Sequence, residues 1–431
     1  MDTIFAVSTA SGKSGIAVVR VSGPSSHALA RELAGSLPPA RKLGLRRLVD
    51  RNGEFIDKAL VACFPEGSSF TGEAMAEFHL HGSREIVKTV LEELGGSQFS
   101  RMALPGEFTR RAVQNGRLDL AQAEGLGDLI QAETKAQLRQ AARALEGALG
   151  ARVENWRSGL IRCAALLEAS IDFADEEIPA DVFPEVSARL DDLIGELKYE
   201  SEGVSAAERI REGFEVAIVG PPNTGKSTLL NFLAGREAAI TSEFAGTTRD
   251  IIEVRMEVGG FPVTLLDTAG MRETSDPVEG MGVERARNRA LAADLRVFLN
   301  DGESAEAKMV EFREGDIELR CKSDLRPNCS EDGISGRTGA GVENLVRRLA
   351  DEFESRSAGV ASATRIRHRI AIEKALESLY RTRNEIANAD ERVEFAADEL
   401  RSAVRSLDSL TGRIDTEHLL DEIFSSFCLG K

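Results

Sequence analysis

A glycine-rich segment near the middle of the chain, Gly220–Thr228, follows the pattern G-x-x-x-x-G-K-[ST]. An apolar run over residues 214–219 precedes it and another over 229–233 follows, which predicts a strand, a phosphate-binding loop and a helix. Glycines at the first and sixth positions let backbone N–H groups curve around a phosphate, and the helix N-terminus adds partial positive charge. We expect Lys226 to reach the β- and γ-phosphates and the Ser227 hydroxyl to ligate Mg²⁺. The flanking strand and helix patterns disfavour the alternative, a glycine turn without a ligand.

The composition limits the class of protein. A chain of 431 residues with 42% hydrophobic residues is long enough for two or three domains. The first residues lack a basic export signal, and no run approaches the roughly 18 apolar residues of a membrane helix, so a cytoplasmic protein without membrane contact is expected. The net charge of −17 argues against non-specific attraction to nucleic acid. Any RNA contact must therefore be local or assisted by a partner.

The cysteines indicate a reducing compartment. They are scattered and form no C-x-x-C pair, which argues against a zinc site or a disulfide framework. All of them except the last are interpreted as packing residues. The five are Cys63, Cys163, Cys321, Cys329 and Cys428.

Residues 1–117 predict a compact α+β domain. Ser11–Gly15 imitates a phosphate loop, but it lacks the G-K-[ST] ending and a strand pattern follows it, which favours a turn. His79 and His81 would share one face of a strand, as a metal pair can, but no further ligand lies nearby and polar strand residues are favoured. The runs that read as strands, separated by turn residues, are 4–7, 16–21, 59–64 and 74–80.

Helical periodicity occupies two separate parts of the chain. It begins at Leu118, and it resumes after an α/β segment over residues 213–354. We expect one discontinuous helical domain formed by residues 118–212 and 365–431, although two separate bundles would give the same pattern. The small and polar residues 355–364 are interpreted as a linker.

The second helical part carries a local basic patch. A solvated helix face is favoured over RNA contact because of the opposing net charge. The patch consists of Arg365, Arg367, His368, Arg369, Arg381 and Arg383.

The apolar stripe that starts at Val393 is expected to end at Thr411 and Gly412, before a last helix over 420–427.

Four further segments lie in the order that a GTP-binding domain requires. Ala245–Asp250 can supply a switch threonine to Mg²⁺, and Asp267–Gly270 follows an apolar run where a Walker-B-type aspartate belongs. Cys321–Asp324 follows another such run, and Ser335–Arg337 precedes a helix. Asp324 is the expected guanine reader, because a carboxylate can accept two hydrogen bonds from the edge of the base.

Cys321 stands where this guanine motif usually has asparagine. A thiol is a weak donor and cannot replace the two-sided hydrogen bonding of an amide. We therefore expect guanine selectivity with unusually weak nucleotide affinity.

These motifs resemble the MnmE (TrmE) family of tRNA-modifying GTPases. The resemblance rests on Asn223 in the phosphate loop, Gly246–Asp250, Asp267–Gly270 and the C-terminal Phe427–Lys431, and it covers essentially the whole chain. Matching N-terminal stretches are Asp2–Ile4, Gly15–Gly23, Ser69–Glu73, Pro105–Thr109 and Asn115–Glu124.

The resemblance implies a multidomain α/β protein. Its parts would be an N-terminal α+β folate-binding domain over 1–117, a discontinuous helical domain over 118–212 and 365–431 that ends in a C-terminal cysteine motif, and an inserted Ras-like P-loop GTPase domain over 213–354.

By the same resemblance, the chain would hydrolyse GTP with Mg²⁺ and with K⁺ in place of an arginine finger. K⁺ would lie between Asn223 and the loop Ser242–Thr247 when two GTPase domains meet, where a fixed cation offsets charge that develops in phosphoryl transfer. Glu279, which alone would be taken for a surface carboxylate, would position the attacking water. Arg249 is interpreted as structural or switch-coupling.

The resemblance also implies complete sets of residues that bind Mg²⁺, K⁺ and the nucleotide. The Mg²⁺ ligands would be Ser227 and Thr248, and the K⁺ ligands Asn223, Ser242, Phe244 and Thr247. The rest of the nucleotide site would comprise Thr224, Gly225, Lys226, Thr228, Asp267, Thr268, Ala269, Gly270, Lys322, Asp324, Ser335, Gly336 and Arg337.

A one-carbon site is also implied. A 5-formyl- or methylene-tetrahydrofolate would bind at Arg20, Glu77 and Arg117, with Lys431 approaching it, because arginine can pair with a glutamate tail and a carboxylate with the amino edge of a pterin. Cys428 would lie nearby, as a nucleophile or as a structural thiol. The candidate catalytic residues are thus Lys226, Glu279 and Cys428.

The implied reaction modifies C5 of the wobble uridine in tRNA. The chain would act as a homodimer with the FAD-dependent partner protein MnmG, in a heterotetramer or larger assembly. A GTPase switch in ribosome assembly, without one-carbon chemistry, is the alternative. A third possibility is folate-dependent one-carbon transfer beside a GTPase domain degraded by its changed guanine motif.

Overall fold

The computed structural model describes most of the chain: residues 2–10, 12–172, 182–221, 223–236, 253–267, 288–301, 311–325, 332–357, 359–387 and 393–414, with 420, 423, 424, 427 and 430. The chain divides into two compact units. One consists of residues 1–127, 144–158 and 404–431, and the other of residues 128–143 and 159–403. None of the described helices is both long and apolar enough to cross a membrane.

The first unit contains a six-stranded sheet. Its order is β3-β4-β5-β2-β1-β6, and all neighbours pair antiparallel except β1 and β6, where the strands are β1 (Thr3–Val7), β2 (Ser14–Ser22), β3 (Gly44–Val49), β4 (Phe55–Phe64), β5 (Met75–Gly82) and β6 (Ser100–Met102). Two helices, α1 (Ser26–Ala34) and α2 (Arg84–Gly95), contribute to a core around Val61 and Phe78. The alternating apolar residues of the strands thus have one face covered.

The predicted strands of this sheet are confirmed at β1, β2, β4 and β5. The sequence did not indicate β3 and β6, because β3 buries only Leu48 fully and β6 has three residues. Strand β2 begins at Ser14, which confirms that no helix follows the segment around Gly12; Ser11 itself lies outside the described residues.

The second unit contains a mainly parallel sheet. Its order is β12-β11-β10-β7-β9-β8, with only β8 antiparallel to its neighbour, where the strands are β7 (Phe214–Val219), β8 (Glu253–Val258), β9 (Phe261–Asp267), β10 (Leu295–Asn300), β11 (Ile317–Cys321) and β12 (Gly333–Ile334). One face packs against α8 (Lys226–Ala234) and the helix Val342–Arg356, here α9, and the other against Ala290 and Ala293. Ligands of such sheets bind outside the carboxyl ends of the strands, where β7 and β9 lead here.

The remaining described helices confirm the long helical periodicity. They are α3 (Glu107–Gln114), α4 (Leu120–Gln131), α5 (Lys135–Leu145), α6 (Ala148–Asp172), α7 (Phe183–Glu212), α10 (Ile366–Ala387) and α11 (Val393–Thr411). The predicted stop after Thr411 is confirmed, since Gly412 adopts φ 79°. Leu420 and Phe424 pack against Leu120 of α4.

The segment 355–364 differs from the exposed linker that its composition suggested. Helix α9 continues to Arg356, and Ala363 and Thr364 are buried. The Ala363 N–H donates to Oε1 of the buried Glu200 on α7 (2.6 Å), and a Cβ on Gly203 would lie 2.7 Å from the Gly359 carbonyl oxygen. Small side chains therefore serve close packing against α7 here.

Candidate nucleotide site and N-terminal polar site

The phosphate loop, Gly220–Ser227, connects β7 to α8. Gly225 adopts φ 91°, and Asn223 adopts φ 63°, a left-handed conformation that asparagine tolerates better than most residues. The buried Lys226 directs its Nζ back into the loop, donating to the carbonyl oxygens of Gly220 and Pro221 at 2.8 Å each. The predicted phosphate-contacting ammonium group is therefore held inside the loop by its own backbone.

A hydroxyl and a carboxylate meet beside this loop. Ser227 Oγ donates to Oδ2 of Asp267, the last residue of β9, at 2.7 Å, and Asp267 is buried. Hard oxygen donors of this kind suit Mg²⁺, so the pair fits the predicted metal site. Elsewhere in the described chain, no group of three or more His, Cys, Asp or Glu side chains is placed to hold a metal ion.

The segment Ser335–Arg337 approaches the first turn of α8, just after the phosphate loop, through its backbone. A Cβ on Gly336 would lie 2.5 Å from the Leu229 nitrogen and 2.8 Å from the Thr228 carbonyl carbon, so this position requires glycine. Ser335 is buried, and its Oγ accepts from the backbone N–H groups of Arg337 and Thr338 at 3.3 Å. The segments predicted to contact the base and the phosphates therefore lie next to each other.

The guanine motif itself follows β11. Cys321 is the last residue of that strand and is only 3% exposed, packed within the core of the sheet. Lys322 adopts φ 58°, and Asp324 is exposed in a short 3₁₀ turn, Ser323–Leu325. The predicted guanine reader, Asp324, is therefore exposed after the end of β11, whereas Cys321, at the position where the motif usually has asparagine, is buried.

The rest of the predicted nucleotide and metal set lies outside the described residues. The same holds for the C-terminal lysine and the C-terminal cysteine. These residues are Ser242, Phe244, Thr247, Thr248, Thr268, Ala269, Gly270, Glu279, Cys428 and Lys431.

In the N-terminal sheet, Arg20 and Glu77 lie opposite each other on β2 and β5. Arg20 Nε donates to Glu77 Oε1 at 2.9 Å, and the guanidinium lies over the rings of Phe70 and Phe108, 5.7 and 5.9 Å from their centroids. The predicted cation and carboxylate are therefore brought together as a half-buried pair. Their chemistry fits the charged tail and the amino edge of a folate.

Arg117 has a different environment from this pair. Its side chain is exposed, and its stem lies beside Gly72, where a Cβ would be 3.2 Å from Arg117 Cγ. The structure thus joins two of the predicted folate residues directly and leaves the third on a neighbouring loop.

The two histidines of β5 have different carboxylate neighbours. His81 Nδ1 lies 2.7 Å from Asp57 Oδ1, whereas His79 Nε2 lies 3.6 Å from Glu77 Oε2. These neighbours fit the interpretation as polar strand residues, which stays a prediction.

The sequence did not single out Arg111, which is 5% exposed and joins three carboxylates. Its guanidinium donates to Asp2 Oδ1 (2.8 Å), Glu107 Oε1 (2.9 Å) and Glu73 Oε1 (3.1 Å). The three acids lie in stretches that carry the family resemblance. Their convergence on one arginine is what the sequence does not show, because it joins residues up to 109 positions apart in the chain.

The basic patch at the start of α10 is largely neutralised. Arg365 Nη2 pairs with Asp128 Oδ1 at 2.7 Å, Arg383 with Asp191 at 3.3 Å, and Arg381 with Glu377. His368 is buried, and its Nδ1 accepts from the Thr364 N–H. The preference for a solvated helix face over RNA contact fits these pairs, except that His368 belongs to the interior.

Glu107, one of the carboxylates that Arg111 joins, makes this part of the N-terminal unit sensitive to acid. Burial raises the pKa of Glu107, but hydrogen bonds from Arg101, the Leu104 N–H and Arg111 outweigh it and hold the pKa below its ordinary value of 4.5. A carboxylate whose pKa is lowered by folding stabilises the fold above its unfolded-state pKa. This stabilisation is lost as the pH falls through the folded-state pKa.

We expect Glu107→Gln to weaken β1 and α3 by about 2 kcal/mol near neutral pH, because charge-assisted hydrogen bonds are lost. The wild type should lose hydrogen-exchange protection in these elements, corrected for intrinsic rates, as the pH falls below about 4.5, and the variant should lose less. Glu66→Gln, at an exposed carboxylate, is the control. An equal acid response in Glu107→Gln and the wild type would contradict this role.

Comparisons with known proteins cover the whole chain. The family model of the GTP-binding protein TrmE N-terminus matches residues 3–117, and the MnmE helical domain model matches residues 120–428. Two relatives named tRNA modification GTPase MnmE, from Roseobacter denitrificans and Cereibacter sphaeroides, are 55% and 57% identical over 100% of both chains.

Among solved structures, the G domain of the T. maritima FeoB iron transporter is 21% identical and covers 32% of this chain and 98% of that chain, with a TM-score of 0.25. The family assignment depends on the sequence matches, which are long and contain the motifs described above. The chain belongs to the MnmE family.

Proposed function

We propose that this chain is a GTP hydrolase that acts in tRNA modification. The observation that carries the GTPase part is the phosphate loop, where Lys226 Nζ lies inside the loop and Ser227 meets Asp267 at 2.7 Å. The tRNA part rests on full-length relatives at 55–57% identity that are named tRNA modification GTPases.

The loop residues would divide the work of phosphate binding. Lys226 would exchange its contacts with the Gly220 and Pro221 carbonyl oxygens for phosphate oxygens, which its three donors allow without moving the backbone. Ser227 and Asp267 would hold Mg²⁺, which neutralises charge on the β- and γ-phosphates when bound. Thr248 would complete this set.

K⁺ dependence and water positioning extend the proposal. Asn223 is exposed at the tip of the loop, so its amide oxygen is accessible to a monovalent cation shared with Ser242, Phe244 and Thr247. Glu279 would orient the attacking water. Two GTPase domains of a homodimer would close around these groups and open after hydrolysis.

The N-terminal sheet would supply one-carbon chemistry. Arg20 and Glu77 would bind a 5-formyl- or methylene-tetrahydrofolate, and their 2.9 Å ion pair would open so that each charge meets its complement on the ligand. Arg117, Lys431 and Cys428 would border this site. With the FAD-dependent partner MnmG, the cytoplasmic assembly would modify C5 of the wobble uridine.

Asp324 would give guanine selectivity, and Cys321 in place of asparagine would make the nucleotide affinity weak. Cys321→Asn should tighten GDP binding about tenfold, because an added amide hydrogen bond is worth roughly 1.4 kcal/mol, and ATP binding should stay unchanged. Cys321→Ala is the matched control, since it removes the thiol without adding an amide. Calorimetric titration, with thermal unfolding to check folding, measures this; no gain with asparagine would refute the explanation.

The K⁺ assignment predicts a cation-specific rate. Replacing KCl by NaCl should lower the wild-type GTP turnover about 10²-fold, because a fixed positive charge in the transition state is lost. Asn223→Ala should respond much less to the change of salt, whereas Asn231→Ala, at an exposed position on α8, should respond as the wild type does. Equal wild-type rates in both salts would contradict the assignment.

The tRNA role is tested in cells that lack the protein. Nucleoside analysis should show loss of the wobble-uridine modification, restored by the wild-type gene but not by Lys226→Ala, because the loop ammonium is absent. Unchanged nucleosides in the deletion strain would refute the proposal. Folate binding by the purified chain would disfavour a ribosome-assembly GTPase, which has no use for that ligand.

A further inference from the structure

Helix α5 carries three exposed cations one turn apart: Lys135, Arg139 and Arg143. Between residues 135 and 145 the helix contains no carboxylate. Within the described part of the chain, none of the three forms an ion pair. Successive members lie about 6 Å apart along the helix axis, since each residue rises about 1.5 Å. We name these three residues the α5 strip.

The α5 strip contrasts with other basic groups of the second unit. Three arginines of the basic patch, Arg365, Arg381 and Arg383, are paired with Asp128, Glu377 and Asp191. In a chain with a net charge of −17, unpaired cations on one helix face create a local positive potential against an opposing field. Such a feature meets the requirement that any RNA contact be local.

The opposite face of α5 is fixed against α7. Gln137 Nε2 donates to the Arg211 carbonyl oxygen and Gln140 Nε2 to the Ala207 carbonyl oxygen, each at 2.8 Å, and Ala141 is buried. These contacts hold the helix in one orientation. The strip is therefore presented to solvent on a rigid support.

We propose that the α5 strip binds the phosphate backbone of an RNA strand. Cations that repeat along one helix face can each contact a successive phosphate, and Leu138, which is 50% exposed on the same face, offers apolar surface to a ribose or base. A membrane surface fits less well, because it needs a broad apolar face and α5 exposes only Leu138 as a large apolar side chain. The inference rests on the proposed tRNA function and names where that substrate docks.

RNA bound at α5 would lie close to the sheet that carries the phosphate loop. Glu133, just before α5, pairs with Arg255 of β8 at 2.9 Å, and the Ala136 N–H donates to the carbonyl oxygen of Gly260, in the β8–β9 turn, at 3.4 Å. RNA on the α5 strip would therefore lie beside the hairpin whose second strand ends at Asp267.

The test measures binding of an unmodified, fluorescein-labelled tRNA transcript to the full chain by anisotropy, at several KCl concentrations. The triple variant Lys135→Gln, Arg139→Gln, Arg143→Gln should lower the magnitude of the slope of log affinity against log salt by about 2. The variant loses three phosphate contacts, so its binding releases fewer counterions. A fourfold rise in salt should then weaken wild-type binding about 16-fold more than variant binding. GTP turnover without RNA should be unchanged.

The matched control removes three other exposed cations of the same unit: Lys198→Gln, Arg347→Gln and Lys374→Gln. This control changes net charge equally, so an equal loss of affinity would show a general charge effect and overturn the α5 assignment. Unchanged affinity and slope in the α5 variant would overturn it too.

The same variants complement the deletion strain, which separates the two proposals. If the α5 variant restores the wobble modification as fully as the wild type does and binds tRNA with unimpaired affinity, the α5 strip is refuted but the tRNA function is not. Absence of the modification defect in the deletion strain refutes the tRNA function and the strip with it. Rescue that the α5 variant fails and the control variant achieves supports both.

Discussion

The nucleotide site depends on the contact between the Gly336 backbone and the first turn of α8. A side chain at this position would lie 2.5 Å from the Leu229 nitrogen, so only glycine allows the loop after β12 to reach the helix that follows the phosphate loop. The segments predicted to read the base and to hold the phosphates, more than 100 residues apart in the chain, thereby lie next to each other. The position of Lys226 and the meeting of Ser227 with Asp267 complete that arrangement.

A second set of polar contacts joins this sheet to α7, which runs into β7 through Gly213. Asp294, just before β10, accepts from Arg209 at the end of α7 (2.8 Å) and from the Glu215 N–H at the start of β7 (2.9 Å). Burial raises the pKa of Asp294, which the nearby cation and amide only partly offset. These contacts fix the end of α7 against the start of β7 and the residue before β10.

Local patterns predicted most of the fold, and long-range pairing set the rest. Strands such as β1 and β7, the phosphate loop and the end of α11 depend on neighbouring residues, so the sequence indicated them. The Arg111 network could not be foreseen, because each charge alone resembles a surface group. The burial of Ala363 could not be foreseen, because small residues suit both exposure and close packing. Glu279 and the loop Ser242–Thr247 stay predictions.

The contrast between short-range and long-range effects also bears on how an acidic chain would bind the two anionic ligands proposed above, a nucleotide and an RNA strand. At the phosphate loop, the attraction would come from backbone N–H groups, a helix N-terminus and one buried ammonium, all of which act at short range. Long-range repulsion from surface carboxylates is screened by salt over about 10 Å and weakens that contact little. An RNA strand is larger and stays in the solvent field, so it needs cations that no carboxylate neutralises. In the second unit, α5 presents such a group on a rigid helix.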